Sequence, residues 1–415
     1  MQTSLPDTIA ATAQGREAEA ILRSCVHCGF CLATCPTYQI LGDELDSPRG
    51  RIYLIKQMLE GAPVTKKTLT HLDRCLTCRN CETTCPSGVQ YGRLIDIGRS
   101  MAEKEVSRPP LERIKRAALN AVLPVGQRFD ALLGLGRMAK ALLPGTLAGK
   151  IPNPTETGSY TAGRFTAHRK MLVLAGCVQP SLAPRINACA TRVLEALDIG
   201  LIEAAKAGCC GAVSFHLNYQ EDALSYMRRN IDAWWPHLEA GAEAIVMTAS
   251  GCGVTVKEYA HYLRDDPDYA AKAARVSALT RDIAEVVLAE QARLLDCLKE
   301  RPLPIPVKVA WHAPCTLQHG QKITGVVEAL LTAAGYEVLV PLESNLCCGS
   351  AGAYSLLEPV IATQLRDRKL GYLQSGAPDL VATANIGCLT HLQAGTDLPV
   401  QHWIELLDNA LASRG

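Results

Sequence analysis

The chain has 415 residues, 48% hydrophobic and 20% charged, enough for roughly two to four domains with cores of their own. Lys and Arg number 42 against 41 Asp and Glu, so the net charge of +1 offers no basic excess for nucleic acid and no acidic tail. No apolar run approaches the ~18 residues of a membrane span, and residues 1–20 lack the apolar stretch of a secretory signal, so a cytoplasmic location is expected. The outlying number is 18 Cys. Disulfides are not expected in a reducing compartment, which leaves metal binding as the reading for so many thiols.

In chain order, 16–23 and 48–60 carry helical spacing, with Pro48 suited to a first turn. Around them lie two cysteine runs. Cys25, Cys28, Cys31 and Cys35 are followed by Pro36; Cys75, Cys78, Cys81 and Cys85 are followed by Pro86. Each cysteine of the second run lies 50 residues after its counterpart. Both read C-x2-C-x2-C-x3-C-P, the two-cluster ferredoxin spacing, in which the fourth Cys ligates the other cluster. The expected sets are therefore Cys25, Cys28, Cys31 and Cys85 for one [4Fe–4S] cluster, and Cys75, Cys78, Cys81 and Cys35 for the other. Structural zinc prefers two separated C-x2-C pairs around one ion and fits this spacing poorly. Arg74, Arg79 and His27 sit beside these ligands and could raise a cluster's potential; pairing with Glu82 or Asp73 is the alternative.

Residues 94–116 read as helical, interrupted at Pro109-Pro110, and 144–167 is a Pro, Gly, Ser and Thr-rich linker. Beyond it, short apolar runs at 171–175, 243–248, 307–311, 337–340 and 379–383 predict buried strands. Helical patterns at 185–197 and 325–334 lie between them, and strands alternating with helices predict parallel sheets. The Ala-rich stretch 268–299 reads as helical, closed by Pro302, Pro304 and Pro306.

A second repeat runs through this half. Cys177, Cys209 and Cys210 recur 138 residues later as Cys315, Cys347 and Cys348; Cys252 recurs 136 residues later as Cys388. These cysteines follow predicted strands in Gly-containing turns, where α/β sheets bind ligands. Each repeat thus gathers four thiols as a candidate site for a further iron–sulfur cluster or zinc. Cys189 and Cys297 have no counterpart and read as buried core thiols. The pair Trp234-Trp235 reads as core or interface, with the lining of a quinone pocket as the alternative. No G-x-G-x-x-G opening a βαβ unit, P-loop or G-x-S-x-G occurs; Gly349-Ser-Ala-Gly352 does not fit, so flavin or nicotinamide binding by this chain is unsupported.

Taken together, the chain resembles the iron–sulfur subunit of bacterial glycolate oxidase, a ferredoxin module followed by two CCG-type cysteine-rich domains. The resemblance is carried by 25–38 (CVHCGFCLATCPTY), 42–56 (GDELDSPRGRIYLIK), 71–86 (HLDRCLTCRNCETTCP), 230–236 (NIDAWWP), 248–253 (TASGCG), 315–318 (CTLQ), 346–352 (LCCGSAG) and 383–392 (TANIGCLTHL). It implies a mostly α-helical two-[4Fe–4S] domain at 1–105, a helical segment and linker at 106–168, and α/β CCG repeats at 169–267 and 305–415 joined by a helical connector at 268–304. It also implies FAD-binding partner subunits that oxidise glycolate to glyoxylate, with electrons passed by this chain towards a quinone or other membrane acceptor. No catalytic residue is expected in this chain, and a position peripheral on the inner face of the cytoplasmic membrane is compatible. Related subunits serve anaerobic glycerol-3-phosphate dehydrogenase, lactate oxidation and heterodisulfide reductases. The sequence departs from the fullest CCG pattern, which ends in Cys-x-x-Cys: Thr255 follows Cys252, and His391 follows Cys388 as a candidate fifth ligand.

Overall fold

The computed structural model describes residues 1–140, 167–299 and 307–412. All but the last residue of the linker expected at 144–167 lies outside the described residues, as do Pro302, Pro304 and Pro306. The chain divides into two units, Met1–Ala117 with Asn345–Lys369, and Ala118–Ser344 with Leu370–Gly415.

The N-terminal part of the first unit is helical for local reasons. Helix α1 (Ala13–Ser24) starts where the Thr12 hydroxyl accepts from Gly15 N–H. Helix α2 (Pro48–Leu59) starts at Ser47, whose side chain accepts from Gly50 N–H, with Pro48 at a position that needs no donor. Helix α3 (Lys66–Asp73) opens with a reciprocal Thr65–Thr68 cap. Helix α4 (Tyr91–Glu105) completes the set. Their apolar faces meet in one core in which Leu22, Ile55, Leu59, Leu72, Leu94 and Ile95 are fully buried. Gly98 lets α4 approach α2: a Cβ there would lie 2.7 Å from Ile55. Helices α1 and α3 run directly up to Cys25 and Cys75, so each cysteine run begins where a packed helix stops.

The second unit carries two four-stranded, all-parallel sheets of identical topology. The first has the order β2-β1-β3-β4, with β1 Arg169–Val173, β2 Ile199–Glu203, β3 Ile245–Met247 and β4 Thr280–Asp282. The second has the order β6-β5-β7-β8, with β5 Lys308–His312, β6 Glu337–Leu339, β7 Leu380–Thr383 and β8 Val400–His402. Registers correspond too: Leu172 pairs Ile245 as Val309 pairs Leu380. Met171, Val173 and Val246 share a core with Val309, Trp311 and Ala382, so the two sheets are fused over common apolar residues. Leu172, Ile245 and Met247 point the other way, into a second core with Met227, Ile231 and Trp234. Burial on both faces is what a parallel sheet requires.

All five predicted strands are present, within a residue or two of their expected ends. Three further strands were not expected. β2 carries a glycine, Gly200, inside it, and β4 and β8 are three-residue edge strands with polar residues. β4 also corrects the reading of 268–299 as uninterrupted helix: Thr280–Asp282 pairs in parallel with β3 and splits the stretch into Ala270–Leu279, Ile283–Ala289 and Gln291–Lys299. Ala-rich composition favours helix, but Thr280 and Asp282 are buried at that sheet edge, and tertiary pairing overrides propensity.

Candidate metal centres

In the first unit, the 50-residue repeat extends to the backbone. His27 and Gly29 adopt left-handed conformations (φ 56° and 85°), and so do Thr77 and Arg79 (φ 55° and 61°). Gly29 and Arg79 each open a short helix, Phe30–Ala33 and Asn80–Thr84. Cys35 and Cys85 then leave with nearly the same dihedrals, φ −84° and −77° with ψ 114° in both. Such alternation of handedness curls a loop around a concavity and turns amide N–H groups inward, as anion-binding nests do. Thr77 N–H already points at Cys75 Sγ, at 3.4 Å.

One cavity is lined by Cys25, Cys28, Cys31 and Cys85, closed by Ile52, Val89 and Tyr91 and bordered by Cys81. Burial and then the neighbouring Cys25 push the Cys31 thiol up to about 11. Cys81 is pushed well up by burial, then by Cys78, Cys75 and Cys35. The cysteines that the spacing groups into two sets are therefore neighbours in each case. Crowded thiols of this kind cannot all ionise unless a cation compensates them, and the inward N–H groups suit the bridging sulfides of a cluster. The residues present fit iron–sulfur clusters.

The charged neighbours resolve differently from one another. Arg79 pairs with Glu82 at 2.9 Å, whose other oxygen accepts from Gly92 N–H. Arg74 pairs with the fully buried Asp46 at 3.0 Å, and Asp73 pairs instead with Arg108 and Arg116. His27 is held below its ordinary range by burial and then by Arg49. Two further residues beside these cysteines were not among the expected site residues: Arg51, 1% exposed, and Tyr91, whose hydroxyl donates to Cys75 Sγ at 3.7 Å.

In the second unit, Cys177 follows β1 after the left-handed Gly176, Cys209 and Cys210 precede the left-handed Gly211, and Cys252 lies on the first turn of Ser250–Lys257. These four thiols form a hydrogen-bonded chain in which Cys209 contacts Cys177 and Cys210, and Cys210 contacts Cys252. Cys210 is held well down as the acceptor of its neighbours' S–H groups, while Cys209 is pushed well up by Cys177 and then Cys210, and Cys252 by Cys210. Asn230 and Tyr259 fix the pair from behind: Asn230 Nδ2 donates to Cys209 O and Tyr259 Oη to Cys210 O, both at 2.8 Å. Trp234 is fully buried and packs against Tyr259 in the core, whereas Trp235 is half-buried at the edge of that core, with its indole N–H on Glu239 and its ring against Lys272 and Arg275.

The second repeat keeps the local geometry. Gly349 N–H contacts Cys347 Sγ at 3.4 Å, as Gly211 N–H contacts Cys209 Sγ at 3.4 Å. Gly211 and Gly349 both have φ above 90°, and a Cβ on either would strike a carbonyl, Ala223 O or Ala362 O. Cys347 and Cys348 belong to the first unit, Cys315 and Cys388 to the second. His391 is half-buried on the helix Ile386–Gln393, one turn beyond Cys388. Cys189 is buried as expected. Cys297 is exposed, which corrects its reading as a core thiol; it sits on the outer side of Gln291–Lys299, whose buried side is Leu294 and Leu298.

Residues 21–89 match the 4Fe-4S dicluster domain family, and residues 171–257 and 309–393 each match the cysteine-rich domain family CCG. Over 411 residues the chain is 52% identical to the glycolate oxidase iron-sulfur subunit of Escherichia coli K12, covering 99% of both chains. The chain belongs to the glycolate oxidase iron–sulfur subunit family. A probable member of that family from Bacillus subtilis is 27% identical over 91% of this chain. Lactate utilization protein A of Geobacillus kaustophilus is 26% identical over 58% of this chain. As the family match implies, this is an iron–sulfur chain with one dicluster domain and two CCG repeats. Among the described residues no helix is long and apolar enough to cross a membrane.

Proposed function

We propose that the chain is the electron-transfer subunit of a glycolate-oxidising complex. Glycolate is oxidised to glyoxylate on FAD-binding partner subunits, and this chain passes the electrons towards a quinone or other membrane acceptor, from the cytoplasm or from the inner face of its membrane. The observation that carries the reading is 52% identity over 99% of both chains to a glycolate oxidase iron-sulfur subunit.

In this reading Cys25, Cys28, Cys31 and Cys85 hold one [4Fe–4S] cluster and Cys75, Cys78, Cys81 and Cys35 the other. Such clusters supply reversible one-electron transfer. The chain's own residues hold the ligands: α1 and α3 anchor Cys25 and Cys75, and the left-handed Thr77 directs its N–H at Cys75 Sγ. Cys28 is exposed beside the exposed apolar side chains Val26 and Phe30, which suits the docking of a protein partner. The four cysteines of each CCG repeat hold a further metal centre, zinc or an iron–sulfur cluster. The thiol of Cys209 resists ionisation beside Cys177 and Cys210, that of Cys252 beside Cys210, and both need a cation to become ligands.

Deletion of the chain from cells that express the complex tests this. Glycolate-dependent quinone or dye reduction is expected to disappear. Undiminished reduction without the chain would refute the assignment.

A further inference from the structure

The ligand set Cys35, Cys75, Cys78 and Cys81 is backed by a buried guanidinium. Arg51 is 1% exposed. Its Nε donates to His71 O at 2.6 Å. Both of its terminal nitrogens donate to one atom, Thr37 Oγ1, at 3.1 and 3.2 Å, and one also reaches Asp46 Oδ1 at 3.3 Å. Thr37 Oγ1 in turn lies 3.3 Å from Cys35 Sγ and 2.8 Å from Asp46 O.

The hydroxyl has one proton and two takers. Two N–H groups occupy its lone pairs, so it can only donate. In the free thiol state it gives the proton to Asp46 O. Once Cys35 is a thiolate ligand, the sulfur is an acceptor only, and the polarised hydroxyl is in place to turn to it.

The charge balance points the same way. Asp46 is shared by Arg51, by Arg74 at 3.0 Å and by His71 Nδ1 at 3.1 Å, so two guanidiniums face one carboxylate. Burying an uncompensated guanidinium is costly unless another negative group lies nearby. A guanidinium stays protonated inside a protein, so Arg51 keeps its charge although it is buried. At the other loop the comparable cation, Arg49, is partly exposed and paired with Glu44 at 2.8 Å.

We infer that Arg51 is a positioning residue that acts through the Thr37 hydroxyl and its own buried charge to raise the reduction potential of the cluster ligated by Cys35, Cys75, Cys78 and Cys81. A ligated cluster becomes more negative by one charge on reduction, so a fixed positive charge in a low-dielectric setting favours the reduced form. This rests on the ligand reading above, and it separates the potentials of two otherwise repeated sites.

The test is potentiometric titration of the iron-loaded chain, followed by electron paramagnetic resonance, with Arg51→Gln, Arg51→Lys and Thr37→Val. Arg51→Gln is expected to lower one midpoint by about tenfold in the reduction equilibrium, 59 mV for one electron, and to leave the other in place. Arg51→Lys restores most of the shift, and Thr37→Val moves the same midpoint down by less. Unmoved midpoints at full iron content, or an equal fall of both, would overturn the inference. If Arg51→Gln fails to retain iron, Thr37→Val decides, and an unmoved midpoint there overturns it. Failure of the ligand reading shows separately, as a wild-type chain without two [4Fe–4S] signals, and takes this inference with it.

Discussion

Cys78 and Cys81 show how two residues of one loop divide their work. Cys81 is buried and borders both cysteine sets, while Cys78 is half-exposed and neighbours Cys81. Cys78→Ser should therefore remove one centre without collapsing the fold. About four of about eight iron per dicluster domain are expected to go, with helical content retained by circular dichroism; unchanged iron would refute its role as ligand. The spacing made every one of these cysteines legible, because thiols at fixed intervals are the chemistry itself. Arg51, Thr37 and Asp46 were not legible. Their importance lies in contacts between α2, the segment after Cys35 and the end of α3, which no local pattern encodes.

At the scale of elements, the duplication of the sheets reaches their last strands. β4 ends at Asp282, whose side chain accepts from Ala284 N–H while Asp282 N–H donates to Glu285. β8 ends at His402, whose Nδ1 accepts from Ile404 N–H while His402 N–H donates to Glu405. The two caps are the same device with Asp in one copy and His in the other. Burial pushes Asp282 up to about 6 and His402 down to about 4. The unfolded chain protonates histidine near 6.5, so His402 loses stability as pH falls from about 6.5 to 4. Asp282 takes up its proton earlier in the folded state, so it gains stability as pH falls from about 6 to 4. Each is worth about 3 kcal/mol, with opposite sign. Thermal unfolding at pH 7 and pH 5 should show His402→Gln stabilised on acidification relative to wild type and Asp282→Asn destabilised. Parallel pH dependences in the two variants would contradict the assignment. The strands were legible where apolar runs were long and β-branched. β4 and β8 were not, because three residues ending in a polar cap carry no alternation to read.

Across the whole molecule, 18 cysteines resolve into eight in the 50-residue repeat, eight in the CCG repeats, and Cys189 and Cys297. Both duplications are visible in the offsets between cysteines along the chain, 50 throughout the first and 138 or 136 in the second. In the fold they extend to left-handed residues, strand registers and caps. The fused core of the two sheets was not foreseeable, since apolar runs show that a strand is buried but not against which neighbour. Near-neutral charge and exposed apolar side chains beside Cys28 suit a chain whose contacts are chiefly with proteins. The central claim is that this chain holds two [4Fe–4S] clusters and relays electrons between them. Electron paramagnetic resonance of the chemically reduced, purified chain, with metal analysis on the same sample, tests it most directly. Two magnetically coupled [4Fe–4S] signals with about eight iron per chain are predicted, rising to twelve or more if a CCG repeat also binds a cluster. A reduced chain with no such signals, or with zinc in place of iron, would contradict it.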